Sequence, residues 1–123
     1  MKQVTPFGVS GVRFRKQIEA FRKEVNHEMH ILQMIIFVEV VNNPQHTVNP
    51  KYIKDLLAII PSSASRHCKR LTNDVEDGYG LCQVVYGHND YISKYLELTK
   101  KGEDLADTIR PVFQEAFTLK GLS

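Results

Sequence analysis

Pro61-Ser62-Ser63-Ala64-Ser65-Arg66-His67-Cys68-Lys69-Arg70-Leu71 is the stretch that decides how this chain folds. It holds three serines near its start, three lysine or arginine residues, and no acid. Ala64, Cys68 and Leu71 recur at i, i+4 and i+7, so a helix here has one small apolar face to bury. Ser62, Ser63, Ser65, Arg66, Lys69 and Arg70 fall largely on the remaining surface. Short hydroxyls and cations are the groups that pair with phosphates and base edges. The stretch reads as a recognition helix or, more blandly, as a solvated basic helix.

Upstream, Asn49-Pro50 has the form of an N-cap followed by proline at the first helical position. Ile53, Leu56, Leu57 and Ile60 continue that helix. Pro61 disfavours a helical conformation at Ile60, so the helix ends by about Ile59. The next begins at once, with Pro61 or Ser62 near its cap. Two short helices joined by a tight turn, the second basic and led by serines, have the helix-turn-helix layout. Downstream, residues Asn73 to Gly80 are rich in acids and glycines and mark a loop. Leu81–Tyr86 and Tyr91–Leu98 read as strands, with Leu96 and Leu98 inward on alternation. Gly87-His88-Asn89-Asp90 supplies the turn chemistry between them. A β-hairpin in this position is a wing.

The flanks read as helices. Met1 to Ser10 is a loose lead-in. From about Gly11, Phe14, Ile18, Phe21 and Val25 form an apolar stripe. His27 to Asn42 is apolar on nearly every side, as a core or subunit-interface helix is, and Asn42-Asn43-Pro44 stops it. Gln45 to Val48 is a connector with a short extended piece at Thr47-Val48. Thr99 can cap a last helix carrying Leu105, Ile109, Val112, Phe113, Ala116 and Phe117, with Pro111 expected to kink or split it near Arg110. Phe113, Phe117 and Leu119 exceed what a terminal helix needs against so small a core, which points to a dimer interface. The expected fold is mainly α with a small β-hairpin wing, a winged helix-turn-helix. It is a single domain over 1–123, with N-terminal helices over 11–42, helix-turn-helix and wing over 49–98, and a C-terminal helix over 99–119.

The totals exclude several other classes. Net charge is +2, so any nucleic-acid role must rest on how the charge is distributed. The most apolar run, Ile31 to Val41, is well short of the roughly 20 residues that span a bilayer. Two cysteines make no disulfide framework, and a reducing cytoplasm is the expected compartment. His67, Cys68, Cys82 and His88 are the candidate zinc ligands. His67 and Cys68 are adjacent, so on a helix their side chains diverge by about 100°. Cys68 reads as a small core residue. His27 and His30 lack metalloprotease spacing, and there is no phosphate-binding glycine motif and no legible nucleophile–histidine–acid set. No enzyme activity, metal or cofactor is expected.

In the order of its elements, the chain resembles the MarR-type winged helix-turn-helix regulators. Ser62-Ser63-Ala64-Ser65-Arg66 followed by Lys69-Arg70-Leu71 is similar to their recognition helix. The stretch from Ser93 through Leu98-Thr99-Lys100-Lys101-Gly102 to Leu105 is similar to their second wing strand running into a Leu-Thr-x-x-Gly helix start. The resemblance covers about Tyr52 to Ile109. It implies a homodimeric regulator bound to double-stranded DNA, with two recognition helices in successive major grooves and the wings over the minor groove. Ser62, Ser63, Ser65, Arg66 and Lys69 would face DNA, while Ala64, Cys68 and Leu71 would pack inward. In the wing, Ile92 stands where the family carries an arginine, which leaves Lys94 and His88 as its candidate contacts. The family also binds small effectors between the dimer helices and the DNA-binding lobe, and nothing in this sequence identifies such a ligand.

Two functions follow. One is a dimeric transcriptional regulator reading the major groove with the helix 62–73, its DNA-binding residues being Ser62, Ser63, Ser65, Arg66, Lys69, Arg70, His88 and Lys94. The alternative is a winged-helix protein-interaction module with weak or sequence-blind DNA affinity. The second draws on Ile92, the acids Asp74, Glu76 and Asp77, and the low net charge.

Overall fold

The computed structural model of the chain describes residues 7–87 and 92–122, with backbone alone for residues 115–122. Its elements are α1 (Gly8–Glu24), α2 (Ile31–Asn42), α3 (Pro50–Leu57), α4 (Pro61–Arg70), β1 (Cys82–Tyr86), β2 (Lys94–Leu98) and α5 (Lys100–Leu122). They form two compact units. One is His30–Ala106, the other Met1–Met29 with Asp107–Ser123.

The His30–Ala106 unit is a winged helix-turn-helix. Its centre is α2, which buries Met34, Ile36, Phe37 and Val40. α2 begins at Ile31, four residues later than its apolar pattern suggested, because His30 caps it. The His30 Nδ1 accepts from the Leu32 N–H, and the His30 N–H donates to Gln33 Oε1. Such reciprocal capping satisfies backbone donors that a helix start leaves open. In α3, Asn49 Oδ1 accepts from the Tyr52 N–H at 2.9 Å and Pro50 takes the first helical position, as the sequence predicts. Ile53 is fully buried, a burial of about 1.5–3 kcal/mol for such a side chain. The helix stops at Leu57, where Ala58 turns left-handed at φ 55°.

α4 follows with Pro61 at its first position and packs on α2 and α3. Ala64, Cys68 and Leu71 are buried, as their spacing predicts. The range 62–73 needs correction, since the helix runs Pro61–Arg70. Leu71 caps it, and the Thr72 hydroxyl donates back to the Lys69 carbonyl at 2.7 Å. That bond competes with continued helix.

The wing is an antiparallel pair, with Cys82 opposite Leu98 and Tyr86 opposite Lys94. Its strands are shorter than the sequence pattern, each five residues. The hairpin is tied at two points. The Leu71 carbonyl accepts from the Leu81 and Cys82 N–H groups, and the Leu96 N–H donates to Val48 O at 2.8 Å. The second bond is the extended piece expected at Thr47-Val48, and Val48 is fully buried.

The Leu-Thr-x-x-Gly start of α5 has a direct physical reading. The Thr99 hydroxyl accepts from the Gly102 N–H at 3.1 Å and donates to Gly80 O at 2.6 Å. A Cβ at Gly102 would overlap the Leu81 carbonyl oxygen, so only glycine lets α5 start this close to the wing. α5 then runs without a break through Pro111 to Leu122, three residues past the expected end. The expected split at Arg110 does not occur.

The other unit holds α1 and α5 from Asp107 onward. Phe21 is buried and meets Phe113 edge to face, with ring centroids 6.1 Å apart. α1 starts at Gly8, three residues before the expected Gly11. Of its predicted stripe only Phe21 is buried, and Phe14 is 57% exposed. Phe7, Val9 and Val12 are exposed with it. The side chains of Ala116, Phe117 and Leu119 lie outside the described residues.

Candidate nucleic-acid interface

Because α4 buries Ala64, His67 and Cys68, its other side faces solvent. Ser62, Arg66 and Lys69 are exposed, and Ser63, Ser65 and Arg70 are half-exposed. No serine caps the helix. Ile60 occupies the cap position without a side-chain hydrogen bond, and Pro61 has no N–H to satisfy. The hydroxyls therefore sit along the first turns of the helix beside the two cations.

A groove of about 580 Å³ separates α4 from the wing. Ser65 and Lys69 line it from α4, Gln83, Tyr86 and Lys94 from the strands, and Asp74 from the loop between. The Lys94 ammonium lies 5.7 Å from the Tyr86 ring centroid, within cation–π range. Asn49 Nδ2 donates to the Lys94 carbonyl at 3.2 Å, so the α3 cap also holds the base of the wing. Lys69 and Lys94 thus face one concavity from two sides.

Arg70 is engaged elsewhere. Its Nε donates to Asp77 O at 2.8 Å, and its guanidinium lies over the Tyr79 ring at 4.8 Å. It secures the acidic loop. His88 lies outside the described residues. Ile92 is 85% exposed.

His67 was not among the sequence-derived packing residues, yet it is 5% exposed. Gln33 Nε2 donates to its Nδ1 at 3.1 Å, and its ring lies against that of His30, with centroids 4.4 Å apart. Extending the Ala64, Cys68, Leu71 stripe by its i+3 position would have found it. Burial holds the imidazole below its ordinary pKa, with His30 and then Arg66 adding to the effect. Burial also pushes the thiols of Cys68 and Cys82 up to about 12. Neither is a thiolate near neutrality, which argues against a redox-sensing role. Among the described residues no three His, Cys, Asp or Glu side chains are placed to hold a metal ion.

A helix-turn-helix followed by a hairpin tied to it at Leu71 and Val48 defines a winged-helix protein. No family model and no curated protein matches the sequence. Solved structures do match its fold. A MepR variant of S. aureus bound to an oligodeoxyribonucleotide aligns at a TM-score of 0.70 and 15% identity, over 94% of this chain and 78% of that one. A MarR/EmrR family transcriptional regulator from an Acinetobacter species aligns at 0.62 and 15% identity, over 90% and 72%. A transcriptional regulator from Thermotoga maritima aligns at 0.63 and 21%, over 91% and 73%. The chain has the fold of the MarR-type winged helix-turn-helix regulators. Among its described residues no helix is long and apolar enough to cross a membrane.

Proposed function

We propose that this chain is a homodimeric DNA-binding transcriptional regulator that inserts α4 into the major groove. One observation carries this reading. α4 presents Ser62, Ser63, Ser65, Arg66 and Lys69 on its open side, with Lys94 across the groove. Arg66 and the serines have the chemistry to read base edges, and Lys69 and Lys94 to hold phosphates. Arg70 positions the loop. A similarly folded protein, the S. aureus MepR variant, is described as bound to DNA, which supports the same use of the fold here. The exposed Val9, Val12 and Phe14 of α1, with Phe7 at its cap, support pairing of two chains through the N-terminal helices.

Asp74 on the groove wall and the exposed Ile92 favour the second reading, a protein-interaction module. Selection from random-sequence duplexes at about 150 mM salt separates the two, because charges beyond about 8 Å are then screened. Enrichment of a palindrome with half-sites about one helical turn apart is the expected result. No enrichment with folded, dimeric protein would overturn the DNA-binding reading in favour of the interaction module.

A further inference from the structure

Two imidazoles meet where α4 rests on α2. His30 caps α2 through its Nδ1, which accepts from the Leu32 N–H at 3.0 Å. His67, on the buried side of α4, accepts from Gln33 Nε2 through its own Nδ1 at 3.1 Å. The orientation of the Gln33 amide is set independently, because its Oε1 accepts from the His30 N–H at 3.1 Å. Its NH2 group must therefore face His67. Both rings consequently present an unprotonated Nδ1 to a donor and carry their proton on Nε2. Arg66 Nη2 stands 3.5 Å from His67 Nε2, at the limit of hydrogen-bond distance, and in this tautomer it is a cationic neighbour of the Nε2–H.

A proton added to the His67 Nδ1 destroys the bond that ring makes, because it sets N–H against the Gln33 NH2. It also places a cation against the His30 ring, 4.4 Å away centroid to centroid. The ionisable groups that bear on His67 are His30, from the cap of α2, and Arg66, from α4 itself. Neither can carry negative charge, so neither compensates an imidazolium.

We propose that the His30–Gln33–His67 cluster is an acid-sensitive latch that seats α4 on α2 while the His67 ring is neutral and releases it when that ring is protonated, coupling DNA binding to pH. The coupling to DNA rests on the function proposed above, but the latch itself does not. The sign is fixed by burial. The folded protein favours the neutral His67, so the latch is intact above the ordinary histidine pKa of 6.5. It is lost as pH falls from there through the lower value that burial imposes.

The test compares wild type with His67→Gln, whose side-chain oxygen can still accept from Gln33 but cannot be charged. In free protein, ring 15N shifts should show the Nε2–H form of His67 at pH 8. Amide exchange, corrected for its intrinsic pH dependence, should show α4 losing protection as that ring protonates in wild type, and not in His67→Gln. On a selected duplex at fixed salt, wild-type affinity should fall more than that of His67→Gln between pH 7.5 and 5.5. His30→Asn, which keeps a capping oxygen, should remove part of the effect. Equal exchange profiles in wild type and variant, or an Nδ1–H tautomer at pH 8, would overturn the latch even if the variant binds DNA poorly. A latch seen in free protein with no DNA binding at any pH would overturn the function and leave the latch standing.

Discussion

The Tyr52 hydroxyl donates to the Glu39 carboxylate at 2.9 Å, bolting the first turn of α3 to the last turns of α2. Asn43 Nδ2 donates to the same carboxylate at 3.3 Å and to the Glu39 carbonyl at 2.9 Å, so Glu39 also closes the helix it sits on. The bond raises the Tyr52 pKa above its ordinary 10.0, chiefly because ionising the phenol would forfeit the hydrogen bond to Glu39. A raised value means the contribution is fully present below pH 10 and is lost as pH rises through the folded-state value. Tyr52→Phe should lower the urea midpoint at pH 8 and show a smaller further loss at pH 11 than wild type. Parallel losses in the two proteins would mean the bond adds nothing in solution.

Ala58 occupies the left-handed position that ends α3, a place where helix-turn-helix proteins commonly use glycine. A left-handed alanine costs about 1–2 kcal/mol, and the extra freedom of unfolded glycine offsets part of the relief. Ala58→Gly should therefore stabilise the chain by about 0.5–1 kcal/mol in urea unfolding. A destabilised variant would show that the turn is not held left-handed.

Gly102 makes the opposite case. Its Cβ position is filled by the Leu81 carbonyl oxygen, and Leu98 Cδ2 lies 3.2 Å away. Neither the carbonyl nor the start of α5 can retreat without breaking the Thr99 bonds to Gly80 and Gly102. Gly102→Ala should cost about 3 kcal/mol, the upper range for overpacking. Unfolding midpoints within error of wild type would show that α5 does not begin against the wing in this way.

Lys69 and Lys94 should separate from Arg66 in binding experiments. Each lysine replaced by alanine should weaken DNA binding to all sequences and lower the slope of log K against log salt by about 1. Arg66→Ala should cost about 1–3 kcal/mol and relax the preference at one base pair. If Lys94→Ala leaves the slope unchanged, the wing does not touch phosphate.

Much of this architecture is legible from local chemistry. Asn49-Pro50 announces the start of α3, and the four-residue recurrence from Ala64 to Cys68 gives the buried side of α4. Thr99 and Gly102 mark the junction of wing and last helix. What stayed hidden depends on partners distant in sequence. The burial of His67 is one such case, because its acceptor role exists only once Gln33, 34 residues earlier, is folded beside it. Arg70, a candidate DNA contact, also donates to Asp77 and lies over Tyr79, an engagement that depends on how the loop returns. Pro111 reads as a kink or a split near Arg110, and the helix runs through it without splitting. Phe14 falls on the predicted apolar stripe yet is exposed, because periodicity reports an apolar face but not what covers it.

The burial of both thiols gives the molecule its own stopwatch. Cys68 sits on α4 and Cys82 on β1, and they are the chain's two cysteines. With thiol pKa values near 12, neither reacts appreciably with an alkylating reagent at neutral pH until its element swings open. Pulsed alkylation of the unlabelled protein therefore times the opening of α4 and β1 around their two neighbouring thiols, with no engineered probe to disturb either.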